Sequence, residues 1–223
     1  MNYFRCIGNS GGGGTSDPIF NEALLCDNSA LSSTINLTDD ITNYDFINVI
    51  IYNSSSSIYT SIVTTPEFIE NAFLYSSNLV NFNEFNNNQY CCYSKTSSLQ
   101  WSRYNNRNCN IFKIYGMTCI NKTVTKTVLY NRQAITTGSV PITSQTSLFD
   151  YDFIFSSCCS GNVDETMPCN EYITMPKADL LNKNKSSFEF VYNRYANYNY
   201  VTISEYQMSS STYYFFVIAV KFT

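Results

Sequence analysis

Tyr44-Asp45-Phe46-Ile47 returns 107 positions later as Tyr151-Asp152-Phe153-Ile154. The surroundings return with it: Thr34-Ile35 and Ile41 precede the first copy, as Pro141-Ile142 and Leu148 precede the second. Downstream, Ile62-Val63-Thr64-Thr65-Pro66 is echoed by Tyr172-Ile173-Thr174-Met175-Pro176. Near the end of each half comes an apolar run, Ile111-Phe112-Lys113-Ile114-Tyr115 and then Phe215-Phe216-Val217-Ile218-Ala219. The spacing drifts only from 107 to 110 to 104, as loop insertions and deletions would produce, so the chain reads as two tandem copies of one module.

Each copy is patterned for strands. From Tyr44 to Tyr52 the residues after Asp45 are apolar at successive positions, the pattern of a central strand covered on both faces. Ser54 to Ser57 reads as a turn, Ile58 to Val63 as a strand, and Thr65-Pro66-Glu67 as the start of a short helical piece through Phe73 and Leu74. Asn81 to Asn88, with five Asn in eight residues, reads as an exposed loop. Gln89–Tyr93, Leu99–Tyr104 and Asn110–Cys119 complete the first set of strands. In the second copy the expected strands are Thr123–Tyr130, Val140–Thr143, Tyr151–Ser156, Phe188–Tyr192, Tyr198–Tyr206 and Tyr213–Phe222. Ser160 to Pro168 is an inserted loop, and Met175-Pro176 begins a helical piece ending near Leu181.

The expected fold is all-β: two tandem antiparallel β-sandwich modules with a Gly-rich N-terminal arm and short helical turns. The divisions fall at 1–29 for the arm, 30–122 for the first module and 123–223 for the second. Strands apolar on both faces also imply sheet edges that another chain must cover. The last apolar run is about ten residues, half of what a membrane helix requires.

Composition agrees with strands and turns. Charged residues are only 13%, while Asn supplies 28 positions and aromatics 16%. Thr and Tyr suit a pleated surface, and Asn tolerates the left-handed turn conformation. The net charge of −4 is unevenly spread. Residues 1–94 hold one basic side chain, Arg5, against nine carboxylates, and residues 95–223 hold twelve basic against eight acidic. This is either ordinary solvated surface or a head-to-tail fit between neighbouring copies. No Lys/Arg stripe is present that would neutralise a phosphate backbone, so no nucleic-acid partner is expected.

The arm runs from Tyr3-Phe4-Arg5-Cys6-Ile7-Gly8 into Gly11 to Gly14, a costly stretch to order unless a neighbour grips it. Met1 to Arg5 leads into glycines and not an apolar run, so no secretory signal is expected. Asp17-Pro18 opens an apolar stretch, Ile19 to Leu25, that reads as one or two helical turns with Asp17 as cap.

The chemistry-bearing residues are few. There is no histidine, which removes Ser-His-Asp and Cys-His catalysis and imidazole metal sites. Gly11 to Gly14 lacks the Lys and Ser/Thr of a phosphate loop. Asp45 and Asp152, copied with the repeat, are either a ligand or ion site in each module or carboxylates that satisfy backbone N–H groups where a strand begins. Asp39-Asp40 and Asp164-Glu165 sit in loops without calcium-ligand spacing. The nine cysteines include the adjacent pairs Cys91-Cys92 and Cys158-Cys159. They read first as buried thiols of a protein assembled in a reducing cytoplasm, with disulfides, or zinc at Cys91, Cys92, Cys109 and Cys119, as alternatives. Trp101 with Tyr104 makes either a sugar platform or core. Tyr195, Tyr198 and Tyr200, interleaved with Asn, suit recognition of a glycan or a seam between subunits. No catalytic residue, metal or cofactor is expected.

Tyr44-Asp45-Phe46-Ile47, the Thr65-Pro66 bend and the closing Ile114-Tyr115-Gly116-Met117 resemble the small β-sandwich modules that end many tailed-phage fibre and appendage proteins. The second copy keeps Tyr151-Asp152-Phe153-Ile154 but has Ile218-Ala219-Val220 in the last signature. Cys6-Ile7-Gly8 and the following glycines are similar to the attachment arm of such appendages. The Asn/Tyr/Ser/Cys-rich composition is similar to virion proteins of AT-rich gut phages, the crAss-like group in particular. The resemblance implies a head- or tail-fibre component assembled in the bacterial host cytoplasm and located in the virion. Its implied partners are capsid, tail or fibre subunits and further copies of itself, with host surface glycan as a target. A surface-polysaccharide depolymerase and a carbohydrate-binding or adhesin module are the competing expectations.

Overall fold

The structure, a computed structural model, describes residues 18–75, 78–84, 90–104, 108–131, 138–141, 151–159, 171–176, 187–194, 197–204, 207–210 and 214–223. The fold is all-β; among the described residues the strands pair antiparallel, with one short α-helix and one 3₁₀ turn. The first half contains β1 (Phe20–Asp27), β2 (Thr34–Asn36), β3 (Phe46–Asn53), β4 (Ile58–Thr64), α1 (Pro66–Tyr75), β5 (Leu79–Glu84), β6 (Tyr90–Ser97), β7 (Gln100–Arg103) and β8 (Cys109–Cys119). The second contains β9 (Val124–Asn131), β10 (Gly138–Pro141), β11 (Phe153–Cys159), β12 (Glu171–Pro176), β13 (Ser187–Arg194), β14 (Asn197–Ser204), β15 (Gln207–Ser210) and β16 (Tyr214–Phe222).

Strand order repeats. The first half forms sheets β1-β8-β3-β4 and β2-β7-β6-β5, and the second forms β9-β16-β11-β12 and β10-β15-β14-β13. Each strand of one half has a counterpart at the same place in the other, so the duplication in the sequence is a duplication of topology.

The two sheets of the first half close over one core. Ile47, Val49 and Ile51 on β3, Ile111 and Ile114 on β8, and Tyr93 and Trp101 on the facing sheet are all completely buried. Helix α1 seals this layer with Ile69, Ala72 and Phe73. It starts where expected: Pro66 takes the first helical position, which needs no N–H partner, and the Thr65 hydroxyl accepts from Phe68 N–H at 3.4 Å.

The other face of β3 accounts for its apolar character at successive positions. Phe46, Phe68 and Met117 of the first half pack with Phe153, Phe155, Ile218 and Val220 of the second. Ring centroids lie 6.1 Å apart for Phe46–Phe155 and 6.0 Å for Phe46–Phe222, with Phe20 edge-on to Phe46 at 5.6 Å. Each such ring removed from water contributes about 1.5–3 kcal/mol, so this face is the second core of the molecule. Only residues 120–123 connect β8 to β9, and Lys126 on β9 reaches Glu67 on α1 at 2.7 Å. The second covered face expected of β3 is supplied by the chain's own second half.

Two expectations are corrected. Ile19 to Leu25 is not helical: β1 pairs with β8, and its place in the sheet brings the first module's start to Phe20, inside the span assigned to the arm. Asn81 to Asn88 is not all loop, because β5 pairs with β6 and Phe82 is buried against Trp101. Met175 and Pro176 end strand β12 opposite Ile154 and Phe153, and residues 177–181, where a helical piece is expected to follow, lie outside the described residues. Part of the uneven charge is met within the chain, through Lys95–Glu70 at 2.5 Å, Lys113–Asp27 at 3.2 Å and Lys126–Glu67.

Candidate functional site

The repeated motif has one structural duty per residue. Asp45 stands just before β3, and its carboxylate accepts the N–H of Cys119 at the end of β8 at 2.8 Å, while its own N–H donates to Met117 O at 3.0 Å. In the second half, Asp152 accepts from Phe222 N–H at 2.7 Å and donates its N–H to Val220 O at 2.8 Å. The two acids are the same latch, fastening the head of the central strand to the tail of the last. Phe46 and Phe153 join the core between the halves, and Ile47 and Ile154 are completely buried. Tyr44 lies over Gly116, where a Cβ would fall inside its ring.

Neighbouring acids are similarly engaged. Asp39 accepts from Asp40 N–H, from Asn43 Nδ2 at 2.8 Å and from the Tyr44 hydroxyl at 3.0 Å. The backbone bond from Asp40, then the side-chain bonds, hold its carboxyl below the usual range. Desolvation, then the bond to Asp39, pushes the Tyr44 phenol up. Asp40 caps the 3₁₀ turn at Ile41–Asn43 through Thr42 N–H, which lowers its carboxyl. Asp164 and Glu165 lie outside the described residues.

Four of the described thiols are buried. Cys26, Cys91, Cys92 and Cys109 are free and inaccessible, and Cys119 is half-buried. Desolvation pushes Cys26 and Cys109 up to about 11, Cys92 to about 12 and Cys91 well above its ordinary value. No metal-holding group of Cys, Asp and Glu is found among the described residues.

Of the residues singled out for recognition, Trp101 is completely buried between Phe73 at 5.3 Å and Phe82 at 6.0 Å. It has no surface for a sugar or a neighbouring subunit, so that reading is corrected: the largest side chain of the half fills its core. Tyr104 is separate from it and 55% exposed, its N–H held by Cys92 O at 2.9 Å. The backbones of Tyr198 and Tyr200 lie on β14, opposite Asn193 and Val191 of β13. Tyr195 and the arm residues Tyr3, Phe4, Arg5, Cys6, Ile7 and Gly8 lie outside the described residues.

An aromatic strip elsewhere is the most developed exposed surface described. Tyr52 on β3 and Tyr59 on β4 sit opposite each other across the Ser54–Ser57 turn, ring centroids 4.8 Å apart, and Phe112 on β8 meets Tyr59 edge-on at 5.0 Å. Tyr59 is 55% and Ile58 53% exposed. Lys113 Nζ lies 5.5 Å from the Phe112 centroid and pairs with Asp27, whose carboxyl is lowered chiefly by the Lys113 hydrogen bond. Asn108 ties the turn by donating to Ser55 Oγ at 2.5 Å and accepting from Ser54 N–H at 2.8 Å. Rings with a polar, charged rim suit stacking against a flat apolar face or a sugar ring. The strip is not among the residues expected from sequence, yet a four-residue turn after Asn53 already sets Tyr52 opposite Tyr59.

Comparison with family models, with curated proteins and with solved structures finds no match for this chain.

Proposed function

We propose that this chain is a structural protein of a tailed-phage virion, a head- or tail-fibre component built of two tandem β-sandwich modules. In this reading the residues that precede β1 attach it to capsid, tail or fibre subunits, and the modules pack with further copies and offer exposed aromatic surface to host glycan. The observation that supports it most is the fate of the duplicated acids. Asp45 and Asp152 are the side chains most suggestive of chemistry, and each is engaged by a backbone N–H of a closing strand. A glycosidase needs two carboxylates converging on one cleft, whereas here the copied acid acts as a fastener in each half. The exposed strip at Tyr52, Tyr59 and Phe112 offers rings with a polar rim, suited to holding.

The test has two arms. Intact particles are examined by electron microscopy with gold-labelled antibody against the chain, and label on the head or tail is the expected result. Purified chain is incubated with the host's surface polysaccharide, and chain length is followed by size exclusion. Unshortened polysaccharide is expected. Shortened polysaccharide would replace this reading by the depolymerase, and particles without label would remove the virion location.

A further inference from the structure

Among the described residues the four sheets have eight outer strands, and seven carry a feature that discourages pairing with another chain. β1 has Glu22, Asp27 and a register shift at Leu24/Cys26; β5 has Glu84 and a shift; β9 has Lys126 and a shift. β12 carries Glu171 and Pro176, β13 carries Glu189 and Arg194, β10 ends on Pro141, and β2 is three residues long. β4 has none of these. Its seven residues, Ile58-Tyr59-Thr60-Ser61-Ile62-Val63-Thr64, are uncharged, lack Pro and pair with β3 in unbroken register. Among the described residues no strand pairs with its outer edge.

We propose that the outer edge of β4 pairs antiparallel with β4 of a second copy of this chain, about a two-fold axis at Thr60. The inference names the joint in the homo-oligomeric part of the function proposed above and rests on that part alone. Three observations favour a second copy as occupant. An uncharged strand meets its own image without like-charge repulsion. Thr64 is 2% exposed and α1 begins at Pro66, so the available stretch is Ile58–Ile62, which a pairing centred on Thr60 uses in full. That register sets the 53% exposed Ile58 opposite Ile62, which already packs against the core, and the 55% exposed Tyr59 opposite Ser61. The Phe112–Tyr52–Tyr59 strip, which stops at the edge, then continues across the joint. Val63, next in the strand, belongs to the packing between the halves, so the joint extends an interface already present.

The full chain is studied by sedimentation over a range of concentrations, as wild type, Thr60→Lys and Thr60→Cys, with circular dichroism as the check on fold. Thr60→Lys sets two like charges face to face and is expected to weaken self-association about tenfold or more, the equivalent of roughly 1.4 kcal/mol. Thr60→Cys is expected to give a dimer under mild oxidant, in which mass spectrometry finds two copies of the same peptide joined through the introduced thiols. It keeps the test alive should the lysine variant not fold. A wild-type chain that stays monomeric at all concentrations overturns both the joint and the homo-oligomeric reading. Self-association unaffected by Thr60→Lys, or cross-links that do not join the two introduced thiols, overturns this joint alone. A monomer that captures an extended strand of another protein at β4 overturns the second copy as occupant.

Discussion

In the two halves an acid fastens the central strand to the closing strand in the same way, while the strand position that Tyr44 covers holds a different residue in the second half. Asp45 and Asp152 make matching pairs of bonds, to Cys119 and Met117 in one half and to Phe222 and Val220 in the other. Under Tyr44 lies Gly116; at the corresponding place, opposite Ile154, the second half has Ala219, with Tyr151 also buried. The acid deals only with backbone N–H groups, which every residue but proline supplies. Tyr44 deals with a side-chain position, and it is the missing Cβ of Gly116 that admits its ring. What a duplication keeps unchanged is the part whose partner has no identity to lose.

The largest test of this comparison addresses the face where the halves meet. Phe46 and Phe153 occupy the same place in the repeat and lie in one cluster. Phe46→Ala and Phe153→Ala should each cost about 3–5 kcal/mol, the range for a buried phenylalanine. Urea unfolding of the full chain should show a single transition shifted by similar amounts in the two variants. A loss under about 1 kcal/mol for either, or a split into two transitions, would mean that the halves stand independently.

A smaller effect separates the halves. Gly116→Ala drives a methyl group into the ring of Tyr44 and should cost about 1–3 kcal/mol, as overpacking does. Ala219→Gly removes a methyl group where one is accommodated and should cost about 0.5–1 kcal/mol through backbone entropy. Combining Gly116→Ala with Tyr44→Ala should cost less than the two single changes added, because the clash is gone. Additive losses, measured by the same denaturation, would place the strain of Gly116→Ala elsewhere.

The parts legible in the sequence are those where one residue's neighbours decide its state. The repeat, the run Phe46 to Ile51, the Ser54–Ser57 turn and the Thr65-Pro66 helix start are local, and the structure has all four. The misread parts depend on partners far along the chain. Ile19 to Leu25 is too short an apolar run for its period to separate helix from strand, and β1 exists because β8 lies beside it. Asn-rich residues 81–84 are extended because Phe82 stacks on Trp101 and β6 supplies the pairing, and burial of this kind overrides composition. That β3 needs two covered faces was readable. That the second cover is the chain's own second half depends on how two sheets dock, which no local pattern encodes.

The acids give the sharpest comparison and the smallest effect. Asp45→Ala leaves Cys119 N–H, and Asp152→Ala leaves Phe222 N–H, without the acceptor each now has. Both sites are half-buried, so water makes good part of the loss, and each variant should be destabilised by about 1–2 kcal/mol. If the latches are equivalent, the two costs agree to within about 0.5 kcal/mol, the margin for independent sites. Amide exchange supplies a local readout: Cys119 should lose protection in Asp45→Ala and Phe222 in Asp152→Ala, each without the other. Unchanged exchange at both amides would reduce the motif's acid to a bystander, and a loss in one half only would mean that the duplicated latch has kept its function on one side alone.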